Sequence, residues 1–210
     1  EMCIRDRSTS IRGAHTILLK SNGEAHSFGR NDNGQLGHGD NVSPHIHPTI
    51  NSQISNYSDI THISCGKNHS AIIRSDNSGT LYTFGKNSNG QLGLGDTTDR
   101  NIPTLVSGYT NIIDVKCGED FTIFLKSDGS IYSFGYNQQG QLGVALNYST
   151  FLPTNVPQYV MYSKDIIEDN AANTTIDCAL DSIFILLNNG LVYVVGLSLI
   201  HISEPTRPVT

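Results

Sequence analysis

Four short apolar runs punctuate the chain at similar intervals: His15 to Lys20 (HTILLK), His69 to Arg74 (HSAIIR), Phe121 to Lys126 (FTIFLK) and Ser182 to Leu187 (SIFILL). A polar turn follows each one, namely Ser21-Asn22-Gly23, Ser75 to Gly79, Ser127-Asp128-Gly129 and Asn188-Asn189-Gly190. The chain then returns through EAHSF, TLYTF, SIYSF and LVYVV. Apolar runs joined by Asn-Gly or Asp-Gly predict β-hairpins, because these residues tolerate the positive φ that a tight turn requires. The returning runs put His26/Phe28, Tyr82/Phe84, Tyr132/Phe134 and Tyr193/Val195 on one face and small or aliphatic side chains on the other. Both faces can be packed, as expected of a sheet held between two neighbours rather than one facing water.

Two further extended segments complete each period. One contains proline (Pro48-Thr49-Ile50, Pro103 to Val106, Pro153 to Val156), and one precedes the next apolar run (Ile60 to Ser64, Ile113 to Lys116, Thr175 to Asp177). Between them lies a glycine block, read as FGRNDNGQLGHGD at 28–40, FGKNSNGQLGLGD at 84–96 and FGYNQQGQLGV at 134–144. Gly29, Gly85 and Gly135 are 56 and 50 residues apart, and a degenerate copy, Val194-Val195-Gly196, follows 61 residues later. Gly34, Gly37, Gly90, Gly93, Gly140 and Gly143 recur inside the block, where a tight turn and close backbone approach need the absence of a Cβ. No helical period is sustained. Four strands per period predict an all-β fold, a partial β-propeller of four-stranded antiparallel blades in an incomplete ring, with repeats at 11–64, 65–116, 117–177 and a truncated 178–196.

The pattern C-G-x-x-H-S followed by S-x-G-x-x-Y-x-F-G-x-N-x-x-G-Q-L-G-x-G-D resembles the regulator of chromosome condensation repeat. That resemblance spans residues 8–196 and implies membership of a family of seven-bladed β-propellers. The second repeat matches best. The third has Phe121 in place of the histidine and lacks the closing Gly-x-Gly-Asp, and the fourth holds only its first hairpin. The resemblance implies a non-enzymatic module that presents rim loops to a protein partner, in some relatives as part of a larger ubiquitin-ligase-like chain. It alternatively implies a guanine nucleotide exchange factor for a small Ran-like GTPase, acting without covalent chemistry. The family's ultraviolet-B photoreceptor role depends on clustered tryptophans, and this chain has none.

The two ends read differently. Residues 1–7 (EMCIRDR) and 197–202 (LSLIHI) back-translate to strings that are reverse complements of each other, resembling the transposon end used in library preparation. Residues 1–7 and 197–210 are therefore expected to be translated adapter around an authentic 8–196 whose gene extends both ways. Removing them takes away three basic and three acidic residues and leaves the formal charge at −6. With 15% charged residues and no cluster of Lys and Arg, nucleic acid is not an expected partner, and no membrane-length apolar run is present.

Cys65, Cys117 and Cys178 sit 52 and 61 residues apart at one repeat position, with Ile11 expected in the first copy. Exchange with Ile predicts a small buried slot, not a metal or disulfide framework, and reduced thiols suit a cytoplasmic or nuclear protein. His15 and His69 beside Thr16 and Ser70 could suggest nucleophile and base, but a hydrogen bond within the blade accounts for them more simply. Gly90 to Gly95 lacks the Gly-Lys-Ser/Thr of a phosphate loop. Asn31, Asn87, Asn137, Gln35, Gln91 and Gln141 are expected to satisfy turn backbones. The N-x-S/T triplets at Asn41, Asn56, Asn68, Asn147 and Asn173 are assigned no glycan. No catalytic, cofactor or metal residue is expected. The candidate partner loops are Asn41 to Asn56, Thr97 to Asn101 with Ser107 to Asn111, and Leu146 to Asn170, with Tyr57, Asp99, Arg100, Tyr109, Tyr148 and Tyr159 as candidate contacts.

Overall fold

A strand flanked on both faces by other sheets has no polar side, and that is the burial seen along the second strand of the two inner sheets. The computed structural model describes residues 4–9, 13–50, 59–76, 79–144, 153–160, 174–187 and 190–196. Its regular elements are all strands: β1 (Ile4–Thr9), β2 (His15–Lys20), β3 (Ala25–Gly29), β4 (His45–Ile50), β5 (Ile60–Cys65), β6 (His69–Arg74), β7 (Thr80–Gly85), β8 (Arg100–Leu105), β9 (Ile112–Cys117), β10 (Phe121–Lys126), β11 (Ile131–Gly135), β12 (Thr154–Tyr159), β13 (Thr175–Cys178), β14 (Ser182–Leu186) and β15 (Val192–Gly196). They form four antiparallel sheets in chain order, β1-β2-β3-β4, β5-β6-β7-β8, β9-β10-β11-β12 and the three-stranded β13-β14-β15. The sheets follow one another as the blades of a partial β-propeller.

In β6 and β10 the first five residues are all buried, whereas β2 alternates buried and half-buried positions, and β14 alternates buried with exposed ones. Sheets two and three are thus covered on both faces, and sheets one and four on one. Each seam has its own apolar cluster. Ile17, Leu19 and Ala25 meet Ile63, Cys65, Ile72 and Phe84 at the first, and Ala71, Ile73 and Leu81 meet Val115, Cys117, Phe124 and Phe134 at the second. Phe121, Ile123, Leu125 and Ile131 meet Ile176, Ile183, Ile185 and Val195 at the third.

The sheet frame is offset by one strand from the sequence repeat. The segment before each cysteine hydrogen-bonds to the apolar run after it, so β5 opens the second sheet instead of closing the first. The register also corrects the first cysteine-equivalent position. Thr9 pairs with Thr16 as Cys65 pairs with Ser70, and Ile11 lies outside the described residues. The connection between β1 and β2 is longer than that between β5 and β6, so counting back from His15 misplaces the slot. Upstream of Thr9, Ile4–Arg7 extend β1 with every residue exposed, whereas β5 buries four of its six.

The glycine blocks are where sheets meet most closely. A Cβ on Gly34 would lie 2.5 Å from Asn101 Cα, and one on Gly90 would lie 2.6 Å from Asn155 Cα, each in the following sheet. Gly39 N and Gly95 N donate to the carbonyls of those same two asparagines at 2.8 Å. Backbone lies against backbone here, so no rotamer change can make room for a side chain.

Two tests follow. Gly90→Ala should cost more than about 3 kcal/mol, because it combines the strain of φ +76° with an irreducible clash; Gly108→Ala, at φ +89° with nothing within 4 Å of the new methyl, should cost only about 1 kcal/mol by chemical denaturation. Phe184, Leu186, Val192 and Val194 leave an exposed apolar face on the fourth sheet, so the 210-residue polypeptide should self-associate. Phe184→Lys with Val194→Lys should shift its sedimentation towards monomer, and a wild-type chain that is already a monodisperse monomer contradicts this expectation.

Candidate functional site

The strand ends define two rims. One carries the hairpin turns β2–β3, β6–β7 and β10–β11; the opposite one carries the glycine blocks after β3, β7 and β11 and the short links after β5, β9 and β13. The motif residues belong to the scaffold of this second, glycine rim. Asn31 Oδ1 accepts from Leu36 N at 3.0 Å and its Nδ2 donates to the Asp40 carbonyl at 3.0 Å; Asn87 repeats this with Leu92 and Asp96, and Asn137 accepts from Leu142 N at 3.1 Å. Gln35, Gln91 and Gln141 accept from the backbone N–H two residues before them. Gln91 also donates to Asp120 Oδ1 of the next sheet at 3.1 Å, and burial pushes the Asp120 carboxyl above its usual range.

The histidines do not bond within their own sheets, as the His-Ser adjacency suggests, but across the seam. His15 Nε2 lies 2.9 Å from Ser70 Oγ, and His69 Nε2 lies 3.0 Å from Thr122 Oγ1. Each hydroxyl spends its own hydrogen on a carbonyl of the preceding sheet, Ser70 on Gln35 O and Thr122 on Gln91 O, both at 2.9 Å. The imidazoles must therefore be the donors, as neutral Nε2–H tautomers. A hydroxyl from one sheet is thus seated between the imidazole and a loop carbonyl of the sheet before it.

At the third seam the corresponding pair is Phe121 and Ile183, both fully buried. Reading each copy with the following one shows the match: His with Ser, His with Thr, Phe with Ile. The signal was present in the sequence, but only in a comparison of position n of one copy with position n+1 of the next.

Burial lowers the His15 pKa to about 4 and that of His69 to about 3. Each ring is held neutral, with its Nε2–H committed to the hydroxyl across the seam and its Nδ1 enclosed away from solvent. Burial likewise pushes the Cys65 and Cys117 thiols up to about 12. Each cysteine N–H donates at 2.9 Å to a serine hydroxyl on the preceding sheet, Ser8 and Ser64 respectively.

The candidate contacts divide between the rims. Asp99 Oδ1 accepts from Asn87 N at 2.7 Å, and Arg100 is tied to Asp96 Oδ2 at 2.6 Å, so both brace a glycine-rim loop. In the first sheet Ser43 takes the Asp99 role, and His45 stands where Arg100 does, 3.6 Å from Asp40. Tyr109 and Tyr159 both pack edge-on against Tyr132 near the hairpin rim, at 5.0 and 5.6 Å, and Tyr109 Oη donates to Pro157 O. Tyr57 and Tyr148 lie outside the described residues, as do 51–56, 146–152 and 161–170 of the candidate loops.

Charge is also distributed differently on the two rims. At the hairpin turns Lys20 pairs with Glu24, Arg74 with Asp59 and Asp76, and Lys126 with Asp128. The glycine rim joins Lys67 to Glu119 across a seam, while Arg30 meets Asp32 on an exposed loop tip. Among the described residues no group of three His, Cys, Asp or Glu is placed to hold a metal ion.

Models of the regulator of chromosome condensation (RCC1) repeat match residues 22–73, 78–125 and 128–168. Similar proteins include the E3 ubiquitin-protein ligase HERC2 of Homo sapiens, 41% identical over 111 residues that are 50% of this chain and 2% of the ligase. The Protein RCC2 homolog of Xenopus laevis is 37% identical over 125 residues, 58% of this chain and 23% of that protein. Among solved structures, yeast RCC1 (Prp20) bound to Kap60 has a TM-score of 0.72 at 19% identity, covering 93% of this chain and 44% of that one. Human WBSCR16 has a TM-score of 0.69 at 24% identity, covering 87% and 45%. The chain thus spans less than half the length of each.

The unfolded chain takes up protons below a histidine pKa of 6.5, whereas the folded chain keeps His69 neutral down to about 3. Stability held at neutral pH should therefore fall as the pH drops below 6.5. His69→Phe with Thr122→Ile, which copies the third seam, should shrink the loss between pH 7 and 4.5 by about 2 kcal/mol. Each single substitution should cost more than its share of the pair, with a coupling of about 1 kcal/mol in a denaturation cycle.

Proposed function

The chain belongs to the regulator of chromosome condensation (RCC1) repeat family, and on that premise we propose that it is a protein-interaction module whose glycine-rim loops receive a protein partner. One observation carries this reading. The loop backbones superpose in kind, with Gly34, Gly90 and Gly140 at φ of 79°, 76° and 71°, while the tips they present differ. The exposed Val42 side chain is replaced by Thr98, and the braces behind it change as well, Ser43 to Asp99 and His45 to Arg100. A rigid frame carrying interchangeable tips suits recognition.

A second reading is guanine nucleotide exchange on a small GTPase. It is favoured by the likeness to a protein described as the X-linked retinitis pigmentosa GTPase regulator, 39% identical over 110 residues that form 10% of that protein. Such activity would work by remodelling the GTPase and would need no nucleophile here. A third possibility, substrate capture for a ubiquitin ligase, follows from the likeness to HERC2, which is confined to the repeat region. Both readings place the protein in the cytoplasm or nucleus, with no cofactor.

To test the module, Val42→Lys with Thr97→Lys on the glycine rim should weaken a partner mapped by cross-linking at least about tenfold without changing the melting curve. Ser21→Lys with Ser127→Lys on the hairpin rim should leave binding unchanged. Accelerated nucleotide release from a small GTPase by the full-length protein would displace the module reading in favour of exchange.

A further inference from the structure

The glycine-rim loops of the first two sheets are built to one plan and differ at one slot. Asn31 Nδ2 donates to Asp40 O and Oδ1, and Asn87 Nδ2 to Asp96 O and Oδ1, at distances from 2.9 to 3.1 Å. Val42 N and Thr98 N donate to the same two aspartates, at 3.0 and 2.9 Å. Against this common frame, Asn31 N donates to Ser43 Oγ at 3.0 Å, where Asn87 N donates to the Asp99 carboxylate at 2.7 Å. The second sheet thus shows that the slot takes an oxyanion, and that the bond is shorter when it does.

The residue after the slot differs as well. Gly29 pairs with His45 as Gly85 pairs with Arg100, so Asp99 leads straight into β8, whereas Pro44 stands between Ser43 and β4. Of the seven prolines in the chain, Pro44 alone follows a serine or threonine. Asn41, Val42, Pro44 and Ile46 are exposed around a half-buried Ser43. Arg30 holds the Asp32 carboxyl below its ordinary range, and the Ser43 hydroxyl adds to the effect. A guanidinium and a backbone N–H therefore gather about this one hydroxyl.

We propose that Ser43 is a phosphorylation site for a proline-directed serine/threonine kinase, and that its phosphate occupies the anion slot that Asp99 fills in the second sheet. Proline has no N–H, so the position after Ser43 selects kinases whose pocket asks for no donor there. The Ser43 oxygen attacks the terminal phosphorus of ATP. The new Oγ–P bond forms as the bond to the bridging oxygen of the departing ADP breaks, and the hydroxyl proton passes to the kinase's catalytic base. The phosphate brings about −1.5 to −2 charges at pH 7 and strong acceptor oxygens. One takes the Asn31 N–H, and the others draw the Arg30 guanidinium from Asp32, which lies at an exposed loop tip. The first loop then carries an anion where its counterpart does, beside the Val42 tip. This goes beyond the interaction-module reading and does not depend on it.

Phosphopeptide mapping of the native full-length protein, after incubation with ATP and a recombinant proline-directed kinase, tests the site. Phosphate should appear on Ser43, and Pro44→Ala should cut its incorporation there at least about tenfold. The phosphorylated protein and Ser43→Asp should melt no earlier than the unmodified protein, whereas Ser43→Ala, which strands the Asn31 N–H, should melt earlier. A folded protein left unmodified at Ser43, while a peptide spanning residues 38–48 is phosphorylated, overturns the proposal, because the loop then does not offer its serine. A peptide that is not phosphorylated overturns it too. So does phosphorylation that lowers the melting temperature, since the slot would then not hold the anion.

Discussion

Every feature of this molecule depends on sheets being pressed face to face with no polar side left over. Once β6 and β10 are buried on both faces, the separation of neighbouring sheets becomes the critical quantity, because it decides whether apolar faces interlock or leave voids. Backbone-to-backbone contact at Gly34 and Gly90 sets that separation at one end of each seam. The seated hydroxyls of Ser70 and Thr122 set it further along. The apolar clusters then fill what these contacts enclose, with Phe84, Phe124 and Phe134 as the large members opposite small or aliphatic partners.

This arrangement explains why the polar repeat residues are buried. A buried imidazole without a partner would be costly, so His15 and His69 are tied down and kept neutral. The asparagine amides and the glutamine carbonyls likewise close the loops from inside. At the tips only backbone is tied to the frame, with Thr98 O accepting from Asn87 Nδ2 and Val42 N donating to Asp40 Oδ1, while the side chains of Val42, Thr97 and Thr98 are exposed. The family assignment gives the propeller, and the geometry gives it exposed tips on a tied frame.

The seams also show how one repeat tolerates substitution. A polar pair and an apolar pair are both stable when matched, because each satisfies its own side; a mixed pair would strand a donor or bury a hydroxyl against hydrocarbon. Phe121 opposite Ile183 is thus a coherent replacement for His69 opposite Thr122, not decay of the motif.

Much of this was legible in the residues themselves. Period-two apolar runs, Asn-Gly and Asp-Gly turns and recurring glycine blocks determined the strands, their order and the propeller class, because those signals are local and each copy repeats them. The turn-closing roles of Asn and Gln were legible for the same reason, as the backbone groups they satisfy within each loop lie close in sequence, whereas the bond from Gln91 to Asp120 in the next sheet was not. What only tertiary structure decided are pairings that the repeat pattern does not state: that His15 bonds Ser70, 55 residues on, and not its own sheet, that β5 opens a sheet rather than closing one, that Thr9 and not Ile11 matches the cysteines, and that Tyr109 and Tyr159 share one rim while Asp99 holds the other. A repeat tells where each unit lies along the chain. Which atoms meet between units depends on register and sheet spacing, and these exist only once the faces are pressed together.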